Sequence, residues 1–383
     1  MGAMDQVLEQ ATGQGGVPGA VAAYATRNGV RFCGASGYRC VASGDPLRVD
    51  SIFRIASMTK AVTSVAALQL VDEGRVGLDD EMTRYFPELG DRQLLKGFDA
   101  AGAPQLRPAT KPITLRQLLT HTAGFGYAFF NADLHRYTED GHVGDIFAGD
   151  EGFLDAPLVH DPGSIWEYGI NTDWVGRLVE AQSGQSLGDY CRATIFEPLA
   201  MVDTAFDVPA AKHPRIVTVH HRGADGALEE EADSPPPNAP FHMGGAGLYS
   251  TAGDYLRFLQ AILHGGELDG ARILSETLVA EAGRDHIAPL QVEPFRTADP
   301  QVSNDVDDFA GSGFGLGFAI NRDRLPSGRS AGSLAWAGIY NSYYWIDPIR
   351  GLTGVFLAQI LPFYDARAVA ASEAFERAAY DAE

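Results

Sequence analysis

At positions 55–61 the chain reads Ile55-Ala56-Ser57-Met58-Thr59-Lys60-Ala61, which places a serine and a lysine three residues apart at the start of an apolar segment. The residues that follow, up to Val71, are apolar on most of the helix circumference, and Gly74 supplies a C-terminal stop. We therefore predict a buried core helix. Residues i and i+3 of a helix lie on the same face, so Ser57 and Lys60 are expected to point the same way.

This serine and lysine are a candidate nucleophile and base. A serine hydroxyl is a weak nucleophile until a nearby base takes its proton, and a lysine acts as that base when burial favours its neutral form. The positive end of the helix dipole also disfavours the lysine charge, and free N–H groups at a helix start can hold an oxyanion. A serine at a helix start is also common as a simple N-cap, whereas a lysine on an apolar face needs a further reason.

The composition is that of a globular chain of 383 residues, with 45% hydrophobic and 21% charged residues. This length allows one large unit spanning residues 1–383. The net charge of −21, without a basic stripe, argues against nucleic acid or an anionic membrane as a partner. We see no secretory leader and no apolar run near the ~20 residues of a membrane span, so a cytoplasmic location is expected.

The three cysteines indicate no metal site. Cys33, Cys40 and Cys191 lack Cys-x-x-Cys spacing and have no flanking histidines at ligand spacing. We interpret them as reduced packing residues and expect neither a metal nor a cofactor.

Strand patterns occur at both ends of the chain, with helix patterns between them. Near the start, short apolar runs flank a hairpin signal at Arg27-Asn28-Gly29. The C-terminal candidates are strands at 315–320, 333–337, 341–346 and 352–360 and a helix at 366–380. We predict an α+β fold with an antiparallel sheet built from both termini. Its α/β part spans about 1–75 and 250–383 and its mainly helical part about 76–249, while the proline-rich run 229–240 is predicted as a loop.

Two other features resemble catalytic signals. The run Gly184-Gln185-Ser186-Leu187-Gly188 matches the Gly-x-Ser-x-Gly pattern of α/β-hydrolases, but that motif needs a strand before it, and residues 177–181 are helical in pattern. We interpret Gly184 as a helix stop and Ser186 as a cap. His121 has no obvious aspartate partner, and we predict that it fixes the loop around it.

Four segments and a tyrosine together resemble a known superfamily. They are Phe53-Arg54-Ile55-Ala56-Ser57-Met58-Thr59-Lys60, Leu118-Leu119-Thr120-His121-Thr122-Ala123-Gly124, Gly244-Gly245-Ala246-Gly247-Leu248-Tyr249-Ser250-Thr251, Trp336-Ala337-Gly338, and Tyr168. In this order and spread the chain resembles the serine β-lactamases and penicillin-binding proteins. Within them it is most similar to the β-lactamase-like carboxylesterases, or family VIII esterases, which are related to class C β-lactamases. The resemblance covers nearly the whole chain and implies their fold.

The resemblance also implies a two-step acyl transfer. Ser57 would attack the substrate carbonyl, while Lys60 and Tyr168 would share the removal of its proton and the delivery of that proton to the leaving group.

An oxyanion hole is implied on the other side of the carbonyl. Its donors would be the backbone N–H groups of Ser57 and Ile339, the residue that follows Trp336-Ala337-Gly338 on an edge strand. Gly338 fits there because a side chain would block a carbonyl that approaches the strand.

Two departures from the β-lactamase pattern bear on the substrate. β-Lactamases and peptidases carry Lys-Thr-Gly where this chain has Trp336-Ala337-Gly338, and Asn or Ser where it has Ile170. We expect Trp336, Ile170 and the neighbouring Asn171 at the substrate, with Tyr127 and Phe129 in the pocket wall. The loss of a carboxylate-binding cation and of an amide-recognising group favours a neutral, fairly apolar ester.

We therefore expect a serine hydrolase that acts on small-molecule esters with short to medium acyl groups. A β-lactamase or D-alanyl peptidase is the alternative within the same class. An acyltransferase that passes the acyl group to an alcohol or amine would use the same residues. A non-catalytic binding module of the same fold is a further alternative, and the joint presence of Ser57, Lys60 and Tyr168 argues against it.

Overall fold

The computed structural model describes residues 2–231 and 240–383, so the predicted proline-rich loop lies mostly outside them. The N-terminal elements are α1 (Ala3–Ala11), β1 (Gly19–Thr26), β2 (Gly29–Cys40), β3 (Asp45–Pro46), β4 (Phe53–Arg54) and α2 (Thr59–Asp72). The middle elements are β5 (Gln93–Phe98), β6 (Pro104–Pro108), α3 (Leu115–Leu119), α4 (Ala132–Glu139), α5 (Asn171–Ser183), α6 (Leu187–Cys191), β7 (His220–Arg222), β8 (Leu228–Glu230) and β9 (Tyr249–Ser250). The C-terminal elements are α7 (Ala252–Leu263), β10 (Glu267–Leu268), β11 (Ala271–Arg272), α8 (Glu276–Ala282), β12 (Gly313–Phe314), β13 (Ala319–Ile320), β14 (Leu334–Gly338), β15 (Ser342–Asp347), β16 (Leu352–Leu357), β17 (Ile360–Leu361) and α9 (Ala366–Asp381). Among these described helices, none has the length and apolar character needed to cross a bilayer.

An eight-stranded antiparallel sheet organises the molecule, in the order β12-β13-β14-β15-β16-β1-β2-β3. Strands from the two ends of the chain meet where β1 pairs with β16, with Val21 opposite Leu357. This arrangement confirms the predicted α+β fold with a sheet built from both termini. The boundaries given above for its α/β and helical parts stay a prediction.

The strand predicted at 315–320 is wrong over most of its length. Only Ala319 and Ile320 pair there, as β13. Gly317 has a φ of +95°, and a Cβ at this position would lie 2.2 Å from Ser64 Oγ. The chain therefore turns close against helix α2 at this point, where an extended strand would run past it.

Both faces of the sheet are covered by helices. Alternate side chains of a strand point to opposite faces, and β1 shows this clearly. Its Val21, Ala23 and Ala25 belong to the larger core with α2 and α7, whereas Ala20, Ala22 and Tyr24 belong to a second core with α1 and α9. Strand β1 is consequently buried on both faces.

Helix α2 lies inside the larger core and follows directly on Ser57. Of its 14 residues, 11 are buried, as expected for a helix that is apolar on most of its circumference. It packs against α5 and α6, and Gly74 follows its end with a φ of +70°. Side chains in its first turn are therefore held in fixed positions.

Candidate active site

Ser57 lies in a short 3-10 turn, Ala56–Met58, directly before α2, and Lys60 lies in the first turn of that helix. Lys60 Nζ donates a hydrogen bond to Ser57 Oγ over 3.1 Å. The structure thus brings the two side chains together, as their spacing predicts. Ala56 has a left-handed φ of +43°, so the backbone turns sharply just before Ser57.

Lys60 is buried, with only 1% of its surface exposed, and its Nζ has three hydrogen-bond partners. Besides Ser57, its Nζ donates to Tyr127 Oη over 2.9 Å and to the Gly245 carbonyl oxygen over 2.8 Å. The Gly245 carbonyl oxygen accepts from the amine, whereas the hydroxyls of Ser57 and Tyr127 can either accept from it or donate to its neutral form. These hydrogen bonds offset the cost of burying the polar group.

Tyr127 lies closer to the reactive groups than its sequence context indicates. The sequence predicts a pocket wall, and the ring does line a cavity, but the hydroxyl contacts Lys60. Burial, followed by the nearby Asp173 carboxylate and Tyr168, raises the pKa of Tyr127 well above its ordinary value. The phenol is therefore neutral at physiological pH. No periodic pattern locates the hydroxyl of a tyrosine in a loop, so sequence reasoning had no signal for this contact.

Tyr168 borders the same lysine from another side. The centre of its ring lies 4.8 Å from Lys60 Nζ, and its Oη accepts a hydrogen bond from Trp336 Nε1 over 3.2 Å. Because the oxygen accepts there, its own O–H remains to donate to a second acceptor. The backbone holds the ring in place, since Tyr127 N–H donates to the Tyr168 carbonyl oxygen over 3.1 Å.

His121 has the structural role that we predict for it. Its Nδ1 lies 2.9 Å from Asn171 Nδ2, and its carbonyl oxygen accepts from the Glu167 N–H over 2.9 Å. Burial, reinforced by the Lys60 charge, lowers the pKa of His121 well below its ordinary value, so the ring is neutral. It thereby fixes the loop that leads to Tyr168.

Ile170 and Asn171 do not lie where the sequence places them. Both are buried, and neither lines the two cavities at Ser57 described below. Helix α5 begins at Asn171, whose Nδ2 contacts His121 and donates to the Phe125 carbonyl oxygen over 3.3 Å. The amide is thus engaged by the loop behind Tyr168, and its predicted contact with substrate is not made in this arrangement.

Strand β14 carries Trp336 and Gly338 alongside the Ser57 turn. A Cβ on Gly338 would lie 2.5 Å from the Ile55 carbonyl oxygen, so glycine is required for this close approach. The strand is not the edge strand that we predict, since β13 lies beyond it. However, β13 pairs only with Leu334 and Ala335. Ile339 borders both cavities beside Ser57. That the backbone N–H groups of Ser57 and Ile339 form an oxyanion hole stays a prediction.

Two cavities meet at Ser57. The aromatic slot, of about 20 Å³, also contains Tyr168 and Ile339. Its remaining walls are mainly Phe129, Phe130, Phe295, Phe309, Trp336 and Phe363. The wide cavity, of about 160 Å³, contains Tyr127 as well. Its other walls include Phe129, Ile146, Phe147, Phe206, Met243, Tyr249 and Tyr340.

Sequence reasoning missed Asp173, in the first turn of α5. Its side chain is fully buried, and Oδ1 accepts a hydrogen bond from the Gly245 N–H over 2.9 Å. Burial raises the pKa of Asp173 to about 6, against the opposing effects of the Lys60 charge and the Gly245 N–H. An acidic residue in a first helical turn ordinarily complements the helix dipole, so its position in the sequence gave no sign of burial.

The Gly-x-Ser-x-Gly motif is structural, as predicted. Gly184 ends α5 with a φ of +72°, and Ser186 Oγ caps α6 by accepting from the Asp189 N–H over 3.1 Å. Across residues 2–231 and 240–383, no group of three or more His, Cys, Asp or Glu side chains is arranged to hold a metal ion.

Comparison with known proteins identifies the family of this chain. The Beta-lactamase family model matches residues 4–379. Monacolin J acid methylbutanoyltransferase from Aspergillus terreus is 34% identical over 347 residues, which cover 88% of this chain and 83% of the relative. Esterase EstB from Burkholderia gladioli is 31% identical over 382 residues, which cover 92% of this chain and 89% of the relative.

A solved structure gives the same result. Unliganded simvastatin synthase (LovD) from Aspergillus terreus superposes with a TM-score of 0.86 at 31% identity, over 99% of this chain and 97% of that one. The chain therefore belongs to the beta-lactamase family.

Proposed function

We propose that this protein is a serine esterase that hydrolyses small-molecule carboxylic esters through an acyl-Ser57 intermediate. The observation that carries the proposal is the hydrogen bond between Lys60 Nζ and Ser57 Oγ, 3.1 Å long, in a site whose accessible walls are largely apolar. A serine needs an adjacent base to become a nucleophile, and a buried lysine within hydrogen-bond reach fits that requirement.

The reaction proceeds by two acyl transfers. Ser57 Oγ bonds to the ester carbonyl carbon, and its proton passes to Lys60. The carbon–oxygen bond to the alcohol then breaks, and the leaving oxygen takes a proton from Tyr168. Lys60 then returns a proton to Tyr168, which restores both groups. In the second transfer, water gives a proton to Lys60 as its oxygen bonds to the acyl carbon. The bond from that carbon to Ser57 Oγ then breaks, and Oγ takes the proton back from Lys60, which releases the acid and restores the Ser57 hydroxyl. The N–H groups of Ser57 and Ile339 hold the carbonyl oxygen, and the loss of one such donor costs about 3 kcal/mol in the barrier.

The two tyrosines have different tasks in this scheme. The Tyr127 hydroxyl lies 2.9 Å from Lys60 Nζ and fixes the lysine. The Tyr168 hydroxyl accepts from Trp336, which leaves its own proton for the leaving alcohol. Proton delivery in the transition state contributes typically about 10²- to 10⁴-fold to a rate.

The alcohol part and the acyl part of the ester bind in different cavities in this scheme. Because Tyr168 protonates the leaving alcohol and lines the aromatic slot, the alcohol faces that slot. The acyl chain then occupies the wide cavity, whose volume of about 160 Å³ suits a short to medium chain. With Trp336 in the place of a lysine, the slot side favours a neutral alcohol over the carboxylate-bearing part of a β-lactam.

Transfer of the acyl group to an alcohol is the second candidate. The two cavities meet at Ser57, so an acceptor alcohol can enter beside Tyr168 while the acyl chain stays in place. A relative that is 34% identical is a methylbutanoyltransferase, which supports this reaction.

The test compares p-nitrophenyl esters with a chromogenic β-lactam, using wild type and the Ser57→Ala variant. We expect ester turnover by wild type, brief acylation of Ser57 in intact mass, and neither in the variant. Retained turnover by a folded Ser57→Ala protein would disprove the proposal. Turnover of the β-lactam in preference to the esters would instead favour the β-lactamase alternative. Product analysis with excess alcohol separates hydrolysis from transfer, because a transferase forms the new ester.

A further inference from the structure

Asp173 lies near Lys60 and lines neither of the two cavities at Ser57. Its Oδ1 accepts from the Gly245 N–H over 2.9 Å. Its Oδ2 is buried and has no hydrogen-bond partner among the described residues. A buried carboxylate with an unsatisfied oxygen costs stability, so its presence beside the reactive lysine requires an explanation.

Gly245 connects the carboxylate to the lysine. Its N–H donates to Asp173 over 2.9 Å, and its carbonyl oxygen accepts from Lys60 Nζ over 2.8 Å. A Cβ on Gly245 would lie 2.6 Å from Asp173 Oδ2, so any larger residue would displace the carboxylate. One continuous chain of contacts thus runs from the Asp173 carboxylate through the Gly245 backbone to the Lys60 amine.

Few other charges act on Asp173. Lys60, on α2, is the cation that lowers the pKa of Asp173, in opposition to burial. On the loop after α3, Tyr127 has its pKa raised by burial and then by Asp173, and His121 is neutral. Lys60 is therefore the main charged partner of the Asp173 carboxylate.

We propose that Asp173 is a positioning residue that stabilises the positive charge formed on Lys60 when it accepts the Ser57 proton. This inference rests on the proposed function. During acylation the proton moves from Ser57 Oγ to the neutral Lys60 Nζ, and a new ammonium charge appears in a buried site. The fixed negative charge of Asp173 compensates it through the Gly245 backbone. Asp173 itself neither gains nor loses a proton in the step.

An isosteric substitution separates this role from a purely structural one. Asp173→Asn keeps an oxygen that can accept the Gly245 N–H, but it removes the charge. Asp254→Asn is the matched control. Asp254 also lies in the first turn of a helix, is buried, and has its pKa raised by burial, but its partners are the Asp203 N–H and Thr204.

The experiment measures kcat, KM and the rate at which a fluorophosphonate labels Ser57, from pH 5 to pH 8.5. We expect Asp173→Asn to lose about 10- to 100-fold in kcat and in labelling rate, with KM changed less than about 3-fold. Wild type and Asp254→Asn should show a rate that rises with pH through about 6. Asp173→Asn should lose this rise, because the titrating carboxylate is gone.

The proposal is overturned if Asp173→Asn retains wild-type kcat and the same pH profile. A structural role alone would change stability without altering the pH dependence of labelling. If the variant fails to fold, wild type still decides, since a labelling rate that is flat between pH 5 and pH 7 contradicts the proposal. Labelling of Ser57 without ester turnover would refute the proposed esterase while leaving the test of Asp173 intact.

Discussion

The two sides of Ser57 differ sharply. On its polar side, Lys60, Tyr127, Gly245 and Asp173 are joined by hydrogen bonds between 2.8 and 3.1 Å long. On its aromatic side, the polar contact between side chains is the 3.2 Å bond from the Trp336 indole to Tyr168. The polar side is held together by these hydrogen bonds, whereas the aromatic side is built mainly from packed rings. We infer that the polar side transfers protons during the reaction and that the aromatic side determines which ester binds.

Removing Ser57 tests both sides at once and should have the largest effect. In Ser57→Ala, no acyl-enzyme forms, so kcat/KM for a p-nitrophenyl ester should fall by about 10³-fold or more. An unchanged thermal melting curve would show that the fold is intact.

Exchanging the two tyrosines for phenylalanine tests which side supplies the leaving-group proton. Tyr168→Phe should lower kcat by about 10²- to 10³-fold because the proton donor is lost. Tyr127→Phe removes one hydrogen bond to the lysine and should lower kcat by about 10- to 30-fold. The steady-state kcat of both variants on one ester checks this order, and the reverse order would make Tyr127 the acid.

Trimming the wall of each cavity tests where the two halves of the ester bind. Phe147 lines the wide cavity and is 53% exposed, so Phe147→Ala should be tolerated. We expect it to lower kcat/KM for a hexanoate relative to an acetate by about 5- to 10-fold. Phe309→Ala, in the aromatic slot, is the control and should change preference among alcohols instead. If Phe309→Ala alone shifts acyl preference, the assignment of the cavities is reversed.

Asp173, on the polar side, should also lower the stability of the fold at neutral pH. The folded-state pKa of Asp173, about 6, exceeds the ~4 of an unfolded aspartate, so its contribution to stability is present at acid pH and is lost as pH rises to about 6. Asp173→Asn does not titrate. Its melting temperature relative to wild type should therefore rise between pH 4 and pH 6.5, by the equivalent of about 3 kcal/mol at most.

A second aspartate, Asp161, provides a control in which stability should depend on pH in the opposite direction. Arg107 and Thr110 hold the pKa of Asp161 far below its usual range, so Asp161→Asn should lose stability relative to wild type as pH rises from about 3 to 5. If the stability of both variants relative to wild type changes in the same direction as pH rises, the raised pKa of Asp173 is contradicted.

The sequence predicts the local parts of this site well. Ser57 and Lys60 are three residues apart on one helix, so their contact follows from helix geometry alone. Tyr168 and Trp336 could be assigned only because their surroundings resemble a family motif. The sheet built from both termini followed from strand patterns at the two ends of the chain.

Contacts between distant segments could not be predicted in the same way. The Tyr127 hydroxyl meets Lys60 across 67 positions of sequence, and Gly245 meets Asp173 across 72. The proximity of Asn171 to Tyr168 predicts a place at the substrate, but the start of α5 directs its side chain to His121. β14 is predicted as an edge strand, but the short strand β13 pairs with its first two residues.

The close approach of Gly245 to Asp173 couples the substitutions that these two positions can accept. A methyl group at 245 would lie 2.6 Å from the carboxylate, so a larger residue there becomes acceptable only after position 173 is shortened. Position 173 can be shortened first, but the lysine then loses its counter-charge. Mutational paths through this pair therefore pass through a less active enzyme, and the effects of the two substitutions should be strongly epistatic. In libraries that vary the site, the two codons are best randomised together.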